Sequence, residues 1–154
     1  RVILDKGGRL MVPIDAERDR GLKDEMDAMH LDTIWMPSGE NEIVACGDEV
    51  ERRDLLEIVK DKTGGLEIIE RGRFLDHLAE RGIDLVPLTK YEQERYAPNF
   101  LNLGNNIIVL SLAEGNKLTE ELGKRGKKVY DANLQNITKG YGGLHCMTAS
   151  IKRG

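Results

Sequence analysis

The order of structural segments repeats along the chain, and this repeat constrains the fold more than any other feature. Residues 31–36 and 42–46 predict the two strands of a β-hairpin around a turn at 37–41. Residues 99–103 and 106–112 predict a second hairpin. Each hairpin is followed by charged, amphipathic sequence and then by a short strand. A unit of hairpin, helix and strand that occurs twice predicts a modular α/β fold.

The charged segments predict helices, and two of these helices stop at glycine. The predicted helices cover residues 49–60, 72–81 and 116–125. Gly82 and Gly126 end the second and third of them, because glycine readily adopts the left-handed conformation that closes a helix. Strands are predicted directly afterwards, at 83–88 and 128–130, and a last strand is predicted over 142–151.

Composition and length limit the classes of protein to which the chain can belong. Its 154 residues are 40% hydrophobic and 32% charged, which is enough to build one core of ordinary domain size. The formal net charge of -4 argues against a surface that follows nucleic-acid phosphates. The apolar runs reach at most about half of the ~20 residues that a membrane span needs. We therefore expect a cytoplasmic protein with neither nucleic acid nor a membrane as partner.

His30 and Asp32 are the first candidate site residues. Residues 29–33 read Met-His-Leu-Asp-Thr and lead into the first predicted hairpin. Strand alternation would point the two polar side chains to the same face, where they could serve one site. The alternative is structural: His30 as a partly buried histidine at a strand entry and Asp32 as a turn acceptor.

Cys146 is the candidate nucleophile. Residues 140–148 read Gly-Tyr-Gly-Gly-Leu-His-Cys-Met-Thr, and the glycines let the backbone approach a ligand closely and deliver a thiol at a strand mouth. The alternative is a buried, inert cysteine. A metal site would need His145 beside Cys146, but neighbours on a strand point to opposite faces, so no metal is predicted.

Four other features are read as structural. Cys46 is expected to pack in the first hairpin and Trp35 in the core. His77 is expected on a solvated helix face. The cations of residues 124–128 lie at a predicted helix C-terminus, where positive charge favours the helix dipole, so a solvated cap is preferred to a nucleic-acid patch.

Three separated motifs carry a resemblance to a known superfamily. Met-His-Leu-Asp-Thr at 29–33, Asn99 in an apolar strand and Gly-Gly-Leu-His-Cys-Met-Thr at 142–148 occur in the same order in the C-terminal half of the arginine deiminase and amidinotransferase superfamily. The chain resembles this superfamily from about Met29 onward. The resemblance implies a partial pentein fold, an α/β propeller whose complete ring has about five blades.

The resemblance implies a covalent thiol mechanism without a cofactor. Cys146 would attack a guanidinium carbon, His30 would act as general acid and base, and Asp32 would hold the guanidinium nitrogens. Substrate-binding roles would fall to Asn99, Gly142, Gly143 and Lys139. The first expectation is hydrolysis of arginine to citrulline and ammonia. Transfer of the amidino group to an amine is the alternative, and a non-catalytic pentein binding module or inactive fragment is an alternative of another class.

The resemblance also implies that residues 1–154 are the C-terminal portion of a larger catalytic domain. Residues 1–28 match poorly, and the carboxylates that the superfamily contributes from earlier blades are absent from them. We expect an N-terminal segment or chain to complete the propeller, and a homo-oligomer is compatible with the sequence. Lys139 and Tyr141 stand near where arginine deiminases commonly place an arginine. Either Lys139 grips the substrate carboxylate or the substrate is not free arginine.

Overall fold

A computed structural model of the chain describes residues 3–4, 10–14, 30–60, 63, 65–111, 117–134, 136 and 142–149. These residues form a mixed α/β structure with three small sheets. The chain divides into two compact units, of which the first comprises Arg1–Asp24 and Asp48–Ile83 and the second comprises Glu25–Gly47 and Asp84–Gly154. Within the described part of the chain, no helix is both long enough and apolar enough to cross a bilayer.

The second unit contains two three-stranded sheets built to the same plan. In each, two strands form an antiparallel hairpin, and a later strand pairs in parallel with the second hairpin strand. The strands are β3 (Trp35–Gly39), β4 (Glu42–Cys46) and β7 (Asp84–Leu88) in one sheet, and β8 (Leu101–Gly104), β9 (Ile107–Leu110) and β10 (Lys128–Asp131) in the other. A short helix, α3 (Lys90–Gln93), lies between the two sheets in sequence. The predicted repeat is confirmed at this level, and in the second copy α4 (Lys117–Lys124) supplies the expected helix.

One apolar cluster lies within the second unit. Its buried members come from both sheets, from α4 and from the segment before β8: Met36, Val44, Val86, Leu88, Ala97, Phe100, Ile108, Leu110, Leu118 and Leu122. Trp35 is also buried, as expected, and so is Cys46 on β4. Phe100 is fully buried and is the residue after Asn99. The core therefore fixes the backbone at Asn99.

The first unit is an antiparallel sheet with the order β1-β2-β5-β6. Its strands are β1 (Ile3–Leu4), β2 (Leu10–Ile14), β5 (Asp54–Lys60) and β6 (Leu66–Arg73). The predicted helix at 72–81 is present as α2 (Phe74–Glu80), which buries Phe74 and Leu78. His77 on this helix is half-buried rather than solvated, and burial, with the charge of Arg81, lowers the pKa of its imidazole.

The predicted helix over 49–60 is wrong. Only a short helix, α1 (Gly47–Glu51), forms there, and the remainder becomes the central strand β5, which pairs with β2 and β6. The Leu-Leu-Glu-Ile-Val sequence is consistent with strand propensity, and Glu57, which favoured a helix by composition, is buried and paired with Arg71. Tertiary pairing therefore overrides the charged, helix-like composition.

Cations near the end of α4 are paired with carboxylates inside the second unit. Arg125 contacts Glu42, Asp84 and Glu121, while Lys127, only 8% exposed, lies 3.3 Å from Glu42. Gly126 has the positive φ expected of a helix-ending glycine. Arg125 and Lys127 are thus more buried and more fully paired than a solvated cap, and they tie the two sheets together.

Candidate active site

His30 and Asp32 lie on a 3₁₀ turn rather than on a strand. Residues Leu31–Thr33 form this turn, and it is closed by the Thr33 N–H and hydroxyl, which donate to the His30 carbonyl at 3.0 and 2.6 Å. Strand β3 begins only at Trp35. The two-residue alternation of a strand does not apply, and the expectation that the two side chains share a face is not supported by the backbone. Asp32 is half-buried, whereas His30 is exposed.

Cys146 lies on a compact turn, so the predicted strand over 142–151 is wrong for the described residues 142–149. The N–H of Met147 donates to the Leu144 carbonyl, and the N–H and hydroxyl of Thr148 donate to the His145 carbonyl. Residues 150 and 151 lie outside the described part of the chain. On a turn, adjacent side chains are not forced to opposite faces, and His145 and Cys146 both reach Asp32.

Asn99 is the residue to which this turn is attached. Its Oδ1 accepts from the N–H of Cys146 at 3.0 Å, and its Nδ2 donates to Cys146 Sγ at 3.0 Å. The Asn99 carbonyl accepts from the N–H of His145 at 3.1 Å, and Nδ2 also lies 3.3 Å from the Asp32 carbonyl. Asn99 is 1% exposed. One buried amide thus connects the 3₁₀ turn to the cysteine turn.

Gly142 and Gly143 allow the close approach. A Cβ at Gly143 would lie 2.7 Å from Asn99 Cβ and 2.9 Å from the Asn99 carbonyl oxygen, distances that real Cβ atoms do not adopt. A Cβ at Gly142 would lie 3.1 Å from Cys146 Cβ and 3.4 Å from its Sγ. The absence of a side chain at these two positions is therefore what lets the cysteine turn pack on Asn99.

The Asp32 carboxylate faces both residues of the cysteine turn. Its Oδ2 lies 2.7 Å from His145 Nδ1 and 3.6 Å from Cys146 Sγ. Its Oδ1 is buried and has no hydrogen-bond partner among the described residues. The predicted strand places His145 and Cys146 on opposite faces, so the sequence does not indicate that His145 contacts Asp32. The two glycines before it, which favour a turn over a strand, are the feature of the sequence that indicates this contact.

The environment of Cys146 favours the neutral thiol. Partial burial raises the pKa of this thiol, and the negative charge of Asp32 raises it further. Hydrogen bonds from the Asn99 amide and the Gly143 backbone lower the pKa of the thiol, but they lower it less than burial and Asp32 raise it. A positive group bound to Asp32 would cancel part of the carboxylate charge. The site is therefore arranged so that a bound cation increases the thiolate fraction.

Two predicted site residues are not brought into this arrangement. His30 is exposed, and its imidazole makes no hydrogen bond with any side chain of the described ranges. Lys139 lies outside the described residues. Among those that are described, no group of three or more His, Cys, Asp and Glu side chains is placed to hold a metal ion.

Comparison with known proteins places the chain in a class of enzymes that modify guanidino groups. The sequence model named arginine deiminase matches residues 20–153, and the chain belongs to this family. It is 25% identical over 158 aligned positions to an arginine deiminase of Halobacterium salinarum, covering 84% of this chain and 31% of that protein. It is also 33% identical over 79 positions to the uncharacterised protein YkgA of Bacillus subtilis, covering 51% of this chain and 27% of YkgA.

A solved structure, that of unliganded AgrE, has a similar fold. The two superpose with a TM-score of 0.55 at 18% identity, covering 81% of this chain and 16% of the AgrE chain. The chain thus spans less than a third of the length of the relatives it matches. The family match, over residues 20–153, covers both the 3₁₀ turn and the cysteine turn.

Proposed function

We propose that the protein hydrolyses a guanidino substrate, with arginine converted to citrulline and ammonia as the first candidate reaction, and that Cys146 is its nucleophile. The observation that carries this proposal is the placement of Cys146 Sγ 3.0 Å from the Asn99 amide and 3.6 Å from the Asp32 carboxylate. A thiol, a hydrogen-bond donor to the sulfur and an anion for the substrate cation are the groups this chemistry requires.

The reaction proceeds in two displacements. The Cys146 thiolate forms a bond to the guanidinium carbon, and the tetrahedral intermediate loses one terminal nitrogen, which leaves as ammonia after taking a proton. The product of this half is an alkylthiouronium adduct on Cys146. Water then adds to the same carbon, the carbon–sulfur bond breaks, and the ureido product leaves with the thiolate restored.

Asp32 binds the guanidinium. Its Oδ1 is a buried acceptor without a partner among the described residues, and such an atom gains most from an N–H that only a ligand supplies. Charge-assisted bonds from a forked cation to this carboxylate keep the guanidinium carbon beside the sulfur. The bound positive charge also favours the thiolate, so the substrate helps to activate the nucleophile.

His30 is proposed as the general acid and base. It stands two residues before Asp32 at the start of the 3₁₀ turn, and its exposed imidazole is not engaged by the Asp32 carboxylate. An imidazole can both donate and accept a proton, so it can give a proton to the leaving nitrogen and take one from water. Lys139, Gly142 and Gly143 complete the proposed site, the glycines by shaping the cysteine turn and Lys139 as a grip on the substrate carboxylate.

The larger architecture is part of the same proposal. The two sheets of like plan in the second unit correspond to blades of a pentein propeller. The remaining blades, with the carboxylates that this chain does not supply, belong to another segment or chain. A cytoplasmic location follows from the family and from the expected small-molecule substrate. Family membership favours an enzyme over the binding module that the sequence left as an alternative.

The experiment is an assay of the full-length protein with arginine, first alone and then with glycine as an amine acceptor. Citrulline and ammonia formed in equal amounts without the amine support the hydrolase. Ornithine and an amidinated acceptor formed only when glycine is present select the amidinotransferase. If neither reaction occurs with arginine or agmatine, the proposed activity is wrong.

A further inference from the structure

His145 holds a position that the proposed mechanism does not use. Its Nδ1 lies 2.7 Å from Asp32 Oδ2, and the two side chains are only 23% and 20% exposed. The main chain at His145 is held on both sides, because its N–H donates to the Asn99 carbonyl and its own carbonyl accepts twice from Thr148. The contact therefore results from the turn itself rather than from a mobile surface side chain.

His145 and a bound guanidinium would compete for the Asp32 carboxylate. A forked cation binds a carboxylate best through both oxygens. In this structure Oδ2 is engaged by the His145 ring and faces the Cys146 thiol, so only Oδ1 is without a partner among the described residues. Two-point binding of a guanidinium to Asp32 thus requires the His145 ring to give up Oδ2.

We propose that His145 is a specificity-determining residue that competes with the substrate cation for Asp32. The inference rests on the proposed guanidinium role of Asp32. A planar guanidinium or amidinium displaces the ring by making two parallel bonds, whereas a primary ammonium offers only a point charge. The site therefore selects amidine-like cations over amines, and it does so through a residue that adjoins the nucleophile.

Removing the ring removes the competitor. In His145→Ala no imidazole occupies Asp32 Oδ2, while the Asp32 charge and the Cys146 thiol 3.6 Å from it stay in place. Two-point binding of an amidine-like cation then requires no displacement, so the selectivity for such a cation should rise.

Two matched probes measure this selectivity. 2-Chloroacetamidine carries an amidinium, and 2-chloroacetamide has the same reactive carbon without the charge. Both react when the Cys146 thiolate forms a carbon–sulfur bond and expels chloride, so the thiolate fraction cancels in the ratio of their rate constants. The ratio at Cys146 is measured on the full-length protein by peptide mass spectrometry, at a single pH, and is compared with the same ratio for free glutathione.

The expected result is a ratio about threefold or more higher in His145→Ala than in the unmodified protein, because the amidinium no longer has to displace the ring. His77→Ala, in the first unit, is the matched control and should keep the original ratio. Free guanidinium ion should also protect Cys146 from the neutral probe at a lower concentration in His145→Ala than in the unmodified protein.

The outcomes separate the inference from the proposed function. A ratio no higher than that of free glutathione means that Asp32 does not select cations, which overturns both. A high ratio that is the same in His145→Ala and in the unmodified protein overturns only the inference, and so does an equal rise in His77→Ala. If His145→Ala does not fold, an unchanged ratio in His145→Phe, which keeps a ring of similar size without a nitrogen, still overturns the inference.

Discussion

The Asn99 side chain holds Cys146 at two points at once. Its Oδ1 accepts from the Cys146 N–H and its Nδ2 donates to the Cys146 sulfur, both at 3.0 Å. The first bond fixes the backbone of the cysteine turn and the second stabilises negative charge on the sulfur. One buried amide therefore sets both the position and the ionisation of the proposed nucleophile.

Replacing Asn99 by alanine should impair both properties. Because the Asn99 amide lowers the pKa of the Cys146 thiol, its removal raises that pKa further, and the pH midpoint of alkylation by 2-chloroacetamide should move upward. Loss of buried hydrogen bonds should also cost about 1–3 kcal/mol of stability. Asn102→Ala is the control, since the Asn102 amide bonds to the Pro37 carbonyl and does not touch the cysteine turn.

Asp32→Asn should change the reactivity of Cys146 in opposite directions for the two probes. The carboxylate charge raises the pKa of the thiol, so its removal lowers that pKa and increases the thiolate fraction at neutral pH. Alkylation by the neutral 2-chloroacetamide should become faster, by up to about tenfold for one pKa unit. Alkylation by 2-chloroacetamidine should lose its advantage, because the anion that attracts it is gone.

A suitable control for this variant is Asp76→Asn, which removes an exposed carboxylate paired with Arg73 in the first unit. It should leave both rates unchanged. Slower labelling of Asp32→Asn by the neutral probe would show that Asp32 does not raise the thiol pKa.

Gly143→Ala should displace the cysteine turn. The added Cβ would meet Asn99 backbone and side-chain atoms at 2.7–2.9 Å, and these buried atoms have little room to move. We expect a loss of about 1–3 kcal/mol of stability together with reduced alkylation of Cys146 by 2-chloroacetamidine. Gly123→Ala in α4 is the matched control, because, apart from its chain neighbours and its own helix backbone, no described residue has an atom within 4 Å of the added Cβ. That change should be neutral or stabilising by about 0.5–1 kcal/mol.

Glu42 should make the second unit sensitive to acid. Burial acts to raise its pKa, but the Ser38 hydroxyl and the charges of Lys127 and Arg125 together hold the pKa below its ordinary value. A carboxylate with a depressed folded-state pKa stabilises the fold at neutral pH, and this contribution is lost as the pH falls through that value. Glu42→Gln should therefore be less stable than the original protein at pH 7, with a difference that shrinks below about pH 4.

Urea unfolding followed by Trp35 fluorescence measures this effect, because the single tryptophan of the chain is buried in the second unit. Glu40→Gln, an exposed change in the same hairpin, should reproduce the original pH profile. If the free energies of unfolding of Glu42→Gln and the original protein differ as much at low pH as at pH 7, the stabilisation does not depend on the carboxylate charge.

The second hairpin and the strands after glycine were predictable because their patterns are local, whereas the first strand of the first hairpin runs over Trp35–Gly39 and not over the predicted residues 31–36. Gly104 and Gly126 adopt the positive φ that their turns need, and the apolar runs on either side extend as expected. The strand β5 was not predictable, because its charged residues favour a helix and only pairing with β2 and β6 makes it a strand. Burial of Glu57 beside Arg71 is a long-range event that composition does not reveal.

The motifs indicate which residues meet at the candidate site, but not the backbone conformation that brings them together. Cys146, Asp32 and Asn99 come together as the motifs indicate, although residues 32 and 146 are far apart in sequence. The sequence predicts His30 and His145 as strand residues, but both lie on turns. In a turn, neighbouring side chains do not alternate between two faces as they do in a strand. The backbone conformation of these two short segments therefore decided which histidine met Asp32.

The proposed mechanism depends most on Cys146 as the nucleophile, and citrulline formation by the full-length Cys146→Ala variant tests this directly. We expect its rate to fall by about a thousandfold or more relative to the unmodified protein, because the covalent intermediate forms on the Cys146 sulfur. Cys46→Ala, which changes the buried cysteine of β4, should keep most of the activity. Citrulline formation by Cys146→Ala at a rate close to that of the unmodified protein would contradict the mechanism.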